Sequence, residues 1–401
     1  MNTTLQQDHD HKPYVNKFFD RYKIGTIIKK SNFNKVKGFT PAFLFKLIFV
    51  MVFVTKTMHN LLQSGYENEY PHKDAVYRFL NSTRYNWRKF LSLLSVAVVE
   101  SLSILTSRDR VEVLILDDSL FGRDRSKTVE LLAKIYDHAE KKFRNGFRML
   151  TLGWSDGTTF IPLNFSLLSS ENEKNRINGM DEKIDKRSNG YKRRAESIRK
   201  ATEVLIDLLN QVDLKKISAK YLLFDSWFAY PAIIKKVMEN NLHVICMLKK
   251  MSTIHYRYNG KNIDLSALYK SVFKKCGRAK ILASVIVELG KEQPVKGKIV
   301  FVRNRNKKGQ WLAILSTDIN MEDDEIVRIY GKRWDIEVFF KMCKSFLNLA
   351  KEFQGRSVSS LKSRVILFHG KRHGFLLSPV QARGRLRNDS YSRFSSVSFL
   401  A

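Results

Sequence analysis

Residues 111–119 read VEVLILDDS, an almost unbroken apolar and β-branched run that ends on two acids and a serine. A strand with one wet face alternates apolar and polar residues. A run this uniform therefore belongs to a strand buried on both faces, at the centre of an α/β sheet. Residues 221–228, YLLFDSWF, repeat the pattern on a smaller scale, with the apolar part ending at Asp225. Open α/β sheets bind ligands just beyond the carboxyl ends of such strands, which is where Asp118 and Asp225 fall. Two carboxylates brought close together repel unless a cation joins them, and hard cations such as Mg²⁺ take oxygen ligands of this kind. The spacing alone equally allows each acid to cap the helix that follows it.

The surrounding sequence fills in the sheet. Residues 147–154 and 160–168 read as two further strands joined by the turn Ser155-Asp156-Gly157-Thr158, and residues 243–248 as another. Residues 192–210 read as one helix, and Pro231 opens the next. Strands in hairpin order, followed by strands alternating with helices, specify a mixed-sheet α/β domain. Four predicted units result. Residues 1–108 form a helical, DNA-binding domain, in which Thr40-Pro41 supplies an N-cap and first-turn proline. Residues 109–252 and 318–354 form the sheet domain, residues 253–317 a β-rich insertion within it, and residues 355–401 a basic, serine-rich tail.

Charge narrows the function. Lys and Arg number 71 against 39 Asp and Glu, a formal net charge of +32 with a pI near 10. With 44% hydrophobic residues this is no disordered basic tail, and so strong a positive field makes a small-molecule enzyme a poor reading. A folded protein that works on a polyanion fits, nucleic acid first. Two stretches concentrate the charge, with eight Lys or Arg in residues 183–200 and seven in residues 291–308. The most apolar run, LIFVMVFV at residues 47–54, is far shorter than the roughly 20 residues that cross a bilayer. The expected location is the cytoplasm, at the nucleoid when bound to DNA, with no membrane partner. Cys246, Cys276 and Cys343 are odd in number and contain no C-x-x-C pair, so neither a disulfide framework nor a structural zinc site is expected. Asp8-His9-Asp10-His11 has metal-ligating side chains, but at a polar terminus it reads as solvated sequence.

Residues 322–349 are predicted to form one long helix, entered through Glu322-Asp323-Asp324-Glu325 at the positive end of its dipole. At 100° per residue, Tyr330, Arg333, Glu337, Lys341 and Lys344 share a sector of about 80°, opposite Ile336, Phe339, Phe340, Cys343 and Leu347. One acid in a stripe of Tyr, Arg and Lys is an ordinary solvated face, or a metal-binding carboxylate beside phosphate clamps.

Tyr330-x2-Arg333-x3-Glu337-x6-Lys344 resembles the Y-R-E-K signature of bacterial insertion-sequence transposases of the DDE type. LDDS around Asp118 and FDSWF around Asp225 resemble that family's first two acidic motifs. In the family the first acid is typically followed directly by Ser or Thr, which favours Asp118 over Asp117. The resemblance covers residues 110–355 and implies a ribonuclease H-like mixed sheet with an inserted β subdomain and an N-terminal helical domain. It implies two Mg²⁺ ions, replaceable by Mn²⁺, held by Asp118, Asp225 and Glu337, where paired ions serve an in-line displacement at phosphorus. Tyr330, Arg333 and Lys344, with Lys341 beside them, would hold phosphates of the element's end. Trp311 falls where related transposases stack a flipped base, and equally reads as a core tryptophan of its strand. The implied partners are double-stranded DNA, at terminal inverted repeats and at a target, and a second copy of the chain. The implied reaction is cut-and-paste transposition through a hairpin intermediate.

Residues 355–401 depart from the family. They hold ten Ser, nine Lys or Arg and one acid, Asp389, with no sustained helical periodicity, where the family continues with apolar helices. A frameshifted or truncated end would explain the contrast. It also admits a decayed DNA-binding remnant that occupies element ends, beside a third reading as a nuclease without strand transfer.

Overall fold

The computed structural model describes residues 15–53, 71–104, 110–345 and 357–366, apart from positions 139, 277–278, 291–292, 306, 308 and 364. Asp8-His9-Asp10-His11 and Leu347 lie outside the described residues.

The fold is built on β1 (Val113–Gly122), whose first four residues are wholly buried, as a run without polar alternation requires. On one side β1 pairs antiparallel with β3 (Lys142–Ser155), from Val113 opposite Ser155 to Gly122 opposite Gly146. The two halves of β3 then pair antiparallel with β2 (Ala133–Asp137) and β4 (Phe160–Leu168). On its other side β1 pairs parallel with β5 (Tyr221–Phe224), and β5 with β6 (His243–Leu248). The order β4-β3-β1-β5-β6, three antiparallel strands and then two parallel ones, is that of a ribonuclease H-like sheet. The expected α/β mixed-sheet class is the one observed.

The inserted stretch does not fold apart from this sheet. Its strands β7 (His255–Tyr258), β8 (Lys261–Asp264), β9 (Ile281–Leu289), β10 (Val295–Arg303) and β11 (Trp311–Ser316) continue it in the order β6-β11-β10-β9-β7-β8. The junction is antiparallel, with Ala313 of β11 opposite Leu248 of β6. The first residue of β11 thereby reaches the same sheet edge as the carboxyl end of β6.

Helices cover the faces. Before the sheet come α1 (Ile24–Lys30), α2 (Pro41–Phe53), α3 (Lys73–Asn81) and α4 (Trp87–Ser103), knitted by aromatic contacts such as Phe33 on Tyr85 and Trp87, both 4.6 Å between centroids. Helix α4 lies on β4, where Ser95 Oγ donates to the Pro162 carbonyl at 2.7 Å. The predicted helix over 192–210 is instead two, α5 (Asn189–Ser197) and α6 (Ala201–Asn210). Between them the Ser197 carbonyl accepts from the Ser169 amide at 2.7 Å. After these come α7 (Pro231–Met238) and, in the insertion, α8 (Leu265–Ser271).

The predicted long helix is also two, α9 (Asp323–Gly331) and α10 (Trp334–Ser345). The chain between them tightens to i→i−3 bonds, Lys332 to Ile329 and Arg333 to Tyr330, both 3.0 Å. The cause is tertiary. Lys332 Nζ donates to the carbonyls of Val111 and Asp156, drawing the turn onto the start of β1 and the β3–β4 hairpin.

The reading of residues 355–401 as a tail without helical structure needs correction up to residue 366. Residues 358–363 are helical and buried. Ser359 Oγ accepts from Arg194 at 3.0 Å, Ser363 Oγ donates to the Leu80 carbonyl at 3.1 Å, and Lys362 Nζ donates to Ser197 Oγ at 2.9 Å. Serines and a lysine face inward here, satisfied by hydrogen bonds, so hydropathy shows no periodicity.

Packing between sheet and α10 is tight at Gly153. A Cβ there would stand 2.1 Å from the Phe160 ring, which rests against Phe339 of α10 at 5.0 Å between centroids. Gly153→Ala should therefore destabilise the protein by about 1–3 kcal/mol through overpacking, read as a lowered Tm. Gly179→Ala, with open space around it, should leave Tm nearly unchanged.

Candidate active site

Strand β1 does not stop before its acids, as the sequence suggests, because antiparallel pairing with β3 outlasts the parallel pairing with β5. The β5 register ends at Ile115 opposite Leu223, while Asp117 still pairs with Thr151 and Asp118 with Leu150. Asp117 and Asp118 are thus consecutive strand residues and face opposite sides of the sheet.

The side of Asp117 is the one covered by α10. Ser155, on the same face of β3 as Thr151 and Gly153, donates to Asp335 of α10 at 2.5 Å. There Arg333 Nη1 donates to Asp117 Oδ2 at 2.9 Å, and Nη2 donates to Glu337 one turn along the helix. A single guanidinium therefore joins a strand carboxylate to the helix carboxylate. On the opposite side Asp118 Oδ2 accepts from Arg148 Nη1 of β3 at 3.1 Å. The Arg148 guanidinium also stands 5.6 Å from the Trp227 ring centroid.

Asp225 follows β5 directly, as read from the sequence. Its Oδ1 accepts from the Trp227 amide at 2.9 Å, a local turn that fixes the carboxylate at the strand end. Burial first, then Asp118, raises the Asp225 carboxyl above the usual range, against the Trp227 amide and Arg333. Burial does the same to Asp117 more strongly. With Asp225 and Asp118 adding repulsion and Arg333 opposing, Asp117 is pushed up to about 8. Tyr330 is 6% exposed, and its hydroxyl is buried without a hydrogen-bond partner among the described residues. Burial raises that phenol, with Asp225 and Asp117 contributing. Tyr330 belongs to the interior of the site, where it does not offer an open phosphate contact.

The remaining expected residues sit around this centre. Lys341 and Lys344 stand exposed on α10. Trp311 opens β11 at the Asp225 edge, but its ring is already engaged. It stacks on Tyr269 at 4.4 Å, meets Phe301 edge-on at 5.2 Å, and has Lys250 Nζ 3.9 Å from its centroid. Arg148 and Lys332 were invisible to sequence reasoning. Neither lies in a motif, and only the β1–β3 register and the tertiary turn reveal their roles.

No helix among the described residues is long and apolar enough to cross a membrane. No curated protein matches the chain. Two family descriptions do. The chain is similar to the DDE superfamily endonuclease over residues 49–261, a span that takes in Asp117, Asp118 and Asp225. It is similar to the Transposase DDE domain over residues 197–366, which takes in Asp225, Arg333 and Glu337 and ends with the buried helix that closes the described chain. The first match covers more than half of the sequence and overlies the ribonuclease H-like sheet, so the chain belongs to the DDE superfamily endonucleases, with DNA as substrate and a nuclease or transposase activity.

Proposed function

We propose that the chain is an insertion-element transposase that cleaves DNA at the element's terminal inverted repeats and transfers the freed strand to a target, by cut-and-paste through a hairpin. The observation that carries the reading is the meeting of Asp117, Arg333 and Glu337 at the seam of β1 and α10, beside Asp225. The Tyr, Arg and Glu of the recognised signature come together there with the first two acidic motifs.

The donor chemistry fits divalent ions. Hard cations take carboxylate oxygens, and burial, with carboxylate neighbours adding to it, raises both Asp117 and Asp225 above the ordinary range, a cost that a cation between them would relieve. As the side chains stand, no group of three or more His, Cys, Asp or Glu among the described residues is gathered closely enough to hold an ion, and Arg333 lies between Asp117 and Glu337. Asp117, Asp225 and Glu337 would hold two Mg²⁺, or Mn²⁺, once Arg333 releases its partners, with Asp118 as the competing first acid. Bound there, the ions supply activation of the attacking oxygen and stabilisation of the leaving one. The chain's own groups do the rest. Lys332 and Asp335 pin the start of α10 to the sheet, so Glu337 keeps its place over β1. Lys341, Lys344 and Arg148 carry positive charge to the edge where the DNA backbone would run. A homodimer, the helical N-terminal segment and the two basic stretches would complete the grip on DNA.

The test is cleavage of a labelled duplex that carries the element's terminal repeat, with and without Mg²⁺. The wild type should cut at the element end and join the freed 3′ end to a second duplex. Asp225→Asn should lose both activities by on the order of 10³-fold or more while still binding the end. Cutting without joining would make the chain a nuclease, and binding without cutting in the wild type would make it a remnant.

The choice between the two β1 acids has its own readout. Without divalent ions, the folded protein keeps a proton on Asp117 up to about pH 8, while the unfolded chain gives it up near 3.8. This contribution to stability is full below the unfolded value and fades as pH rises through the folded one. Asp117→Asn should flatten the decline in stability between those limits and abolish cleavage. Asp118→Asn should leave the slope in place, which thermal unfolding across pH would record.

A further inference from the structure

Away from the carboxylate edge, on the β4 side of the sheet, lies a cavity of about 480 Å³. It is bounded by the entry to α4, by α5 and by the helix at residues 358–366, three segments distant in sequence. Seven Lys or Arg line it against two acids, Glu196 and Asp207. The acids are already committed. Glu196 receives both prongs of Arg88 at 2.7 Å and Ser166 Oγ at 2.5 Å, and Asp207 is held by Arg199. Arg194 is satisfied from behind by Glu130, at 2.5 and 2.7 Å. Lys362, 4% exposed, has its ammonium on the Arg193 carbonyl at 2.5 Å and on Ser197 Oγ at 2.9 Å, with no carboxylate of the described residues in contact. Burial pushes that ammonium down to about 7, with Arg88 and Arg194 adding repulsion against the pull of Glu196.

The hydrogen-bond balance points the same way. Among the described residues, three side-chain atoms that line the cavity are buried without a hydrogen-bond partner, Trp87 Nε1, Arg88 Nε and Arg193 Nη1, and all three are donors. Arg193 Nη1 stands 3.7 Å from Glu196 Oε1, an ion pair too long for a hydrogen bond. Unsatisfied buried donors and surplus cations are both costly, and one multivalent acceptor relieves both. Guanidinium forks match tetrahedral oxyanions, and the volume lies within the range of ligand pockets. We propose that this cavity binds a phosphate-bearing anion, which would tie the N-terminal helices, α5 and the 358–366 helix together. The proposal stands independently of the carboxylate site.

The free anion and the DNA backbone present the same chemistry, and calorimetry on the full chain separates them. Inorganic phosphate and a short duplex of arbitrary sequence are titrated separately at matched ionic strength. The proteins are the wild type, Lys192→Gln/Arg193→Gln, and a control of equal charge loss on exposed positions outside both basic stretches, Lys134→Gln/Lys261→Gln. At least one probe should bind the wild type and the control alike, and bind the cavity variant about tenfold or more weakly. Phosphate binding identifies a free anion as ligand, and binding of the duplex alone identifies the DNA backbone. Should the double variant lose its circular dichroism signal, Lys186→Gln at the exposed rim replaces it, with the same loss expected in smaller measure. Equal affinity in the cavity variant and the control, or no binding of either probe, overturns the proposal.

Discussion

One guanidinium holds the centre of this molecule in register. Arg333 bridges Asp117 on the central strand and Glu337 on the helix above it. Without such a partner the buried Asp117 would face Asp225 and the partly exposed Glu337 in a medium that screens charge less well than water. The rest of the seam serves that contact. Lys332 fastens the turn to the carbonyls of Val111 and Asp156, Asp335 takes the Ser155 hydroxyl, and Phe339 presses on Phe160 over a glycine that leaves it room. Strand, hairpin and helix are therefore mutually determined by a few polar contacts set on an apolar bed.

The sheet extends this arrangement sideways. Because the inserted strands continue the sheet through β6 and β11, the residues that follow β6 and begin β11 share the edge on which Asp225 ends β5. Lys250 and Trp311 meet there, two strands away from the acid. On the opposite flank, helices from the start of the chain and from residues 358–366 close over β4 through hydrogen bonds to Leu80 and Arg194. A chain with a formal charge of +32 thus holds a small acidic centre, as a protein that acts on a polyanion requires.

Much of this was legible in the sequence, because hydrophobic pattern reports burial directly. The run at 113–116 read as a central strand since it is buried on both faces, those at 221–224 and 243–248 read as further strands, and Asp225 fell at a strand end as expected. What misled were features decided by tertiary contacts. The pattern of β1 stops at Leu116, but its pairing continues through both acids, and only the folded chain shows Asp117 meeting Arg333 while Asp118 meets Arg148. The signature residues look like one helical stripe, yet Lys332 bends the chain between Tyr330 and Glu337, so the tyrosine turns inward. The segment 358–363 looks like a solvated tail because its buried faces carry Ser and Lys whose partners, Leu80, Arg194 and Ser197, are far away in sequence.

The carboxylate centre is tested most directly by a crystal structure of the protein grown with Mn²⁺, with the ion located by its anomalous signal. Manganese should be bound by Asp117, Asp225 and Glu337, with Arg333 displaced from between the first and last of them. Manganese on Asp118 with Arg148 moved aside, or Arg333 still bridging Asp117 and Glu337 at saturating Mn²⁺, would contradict this assignment.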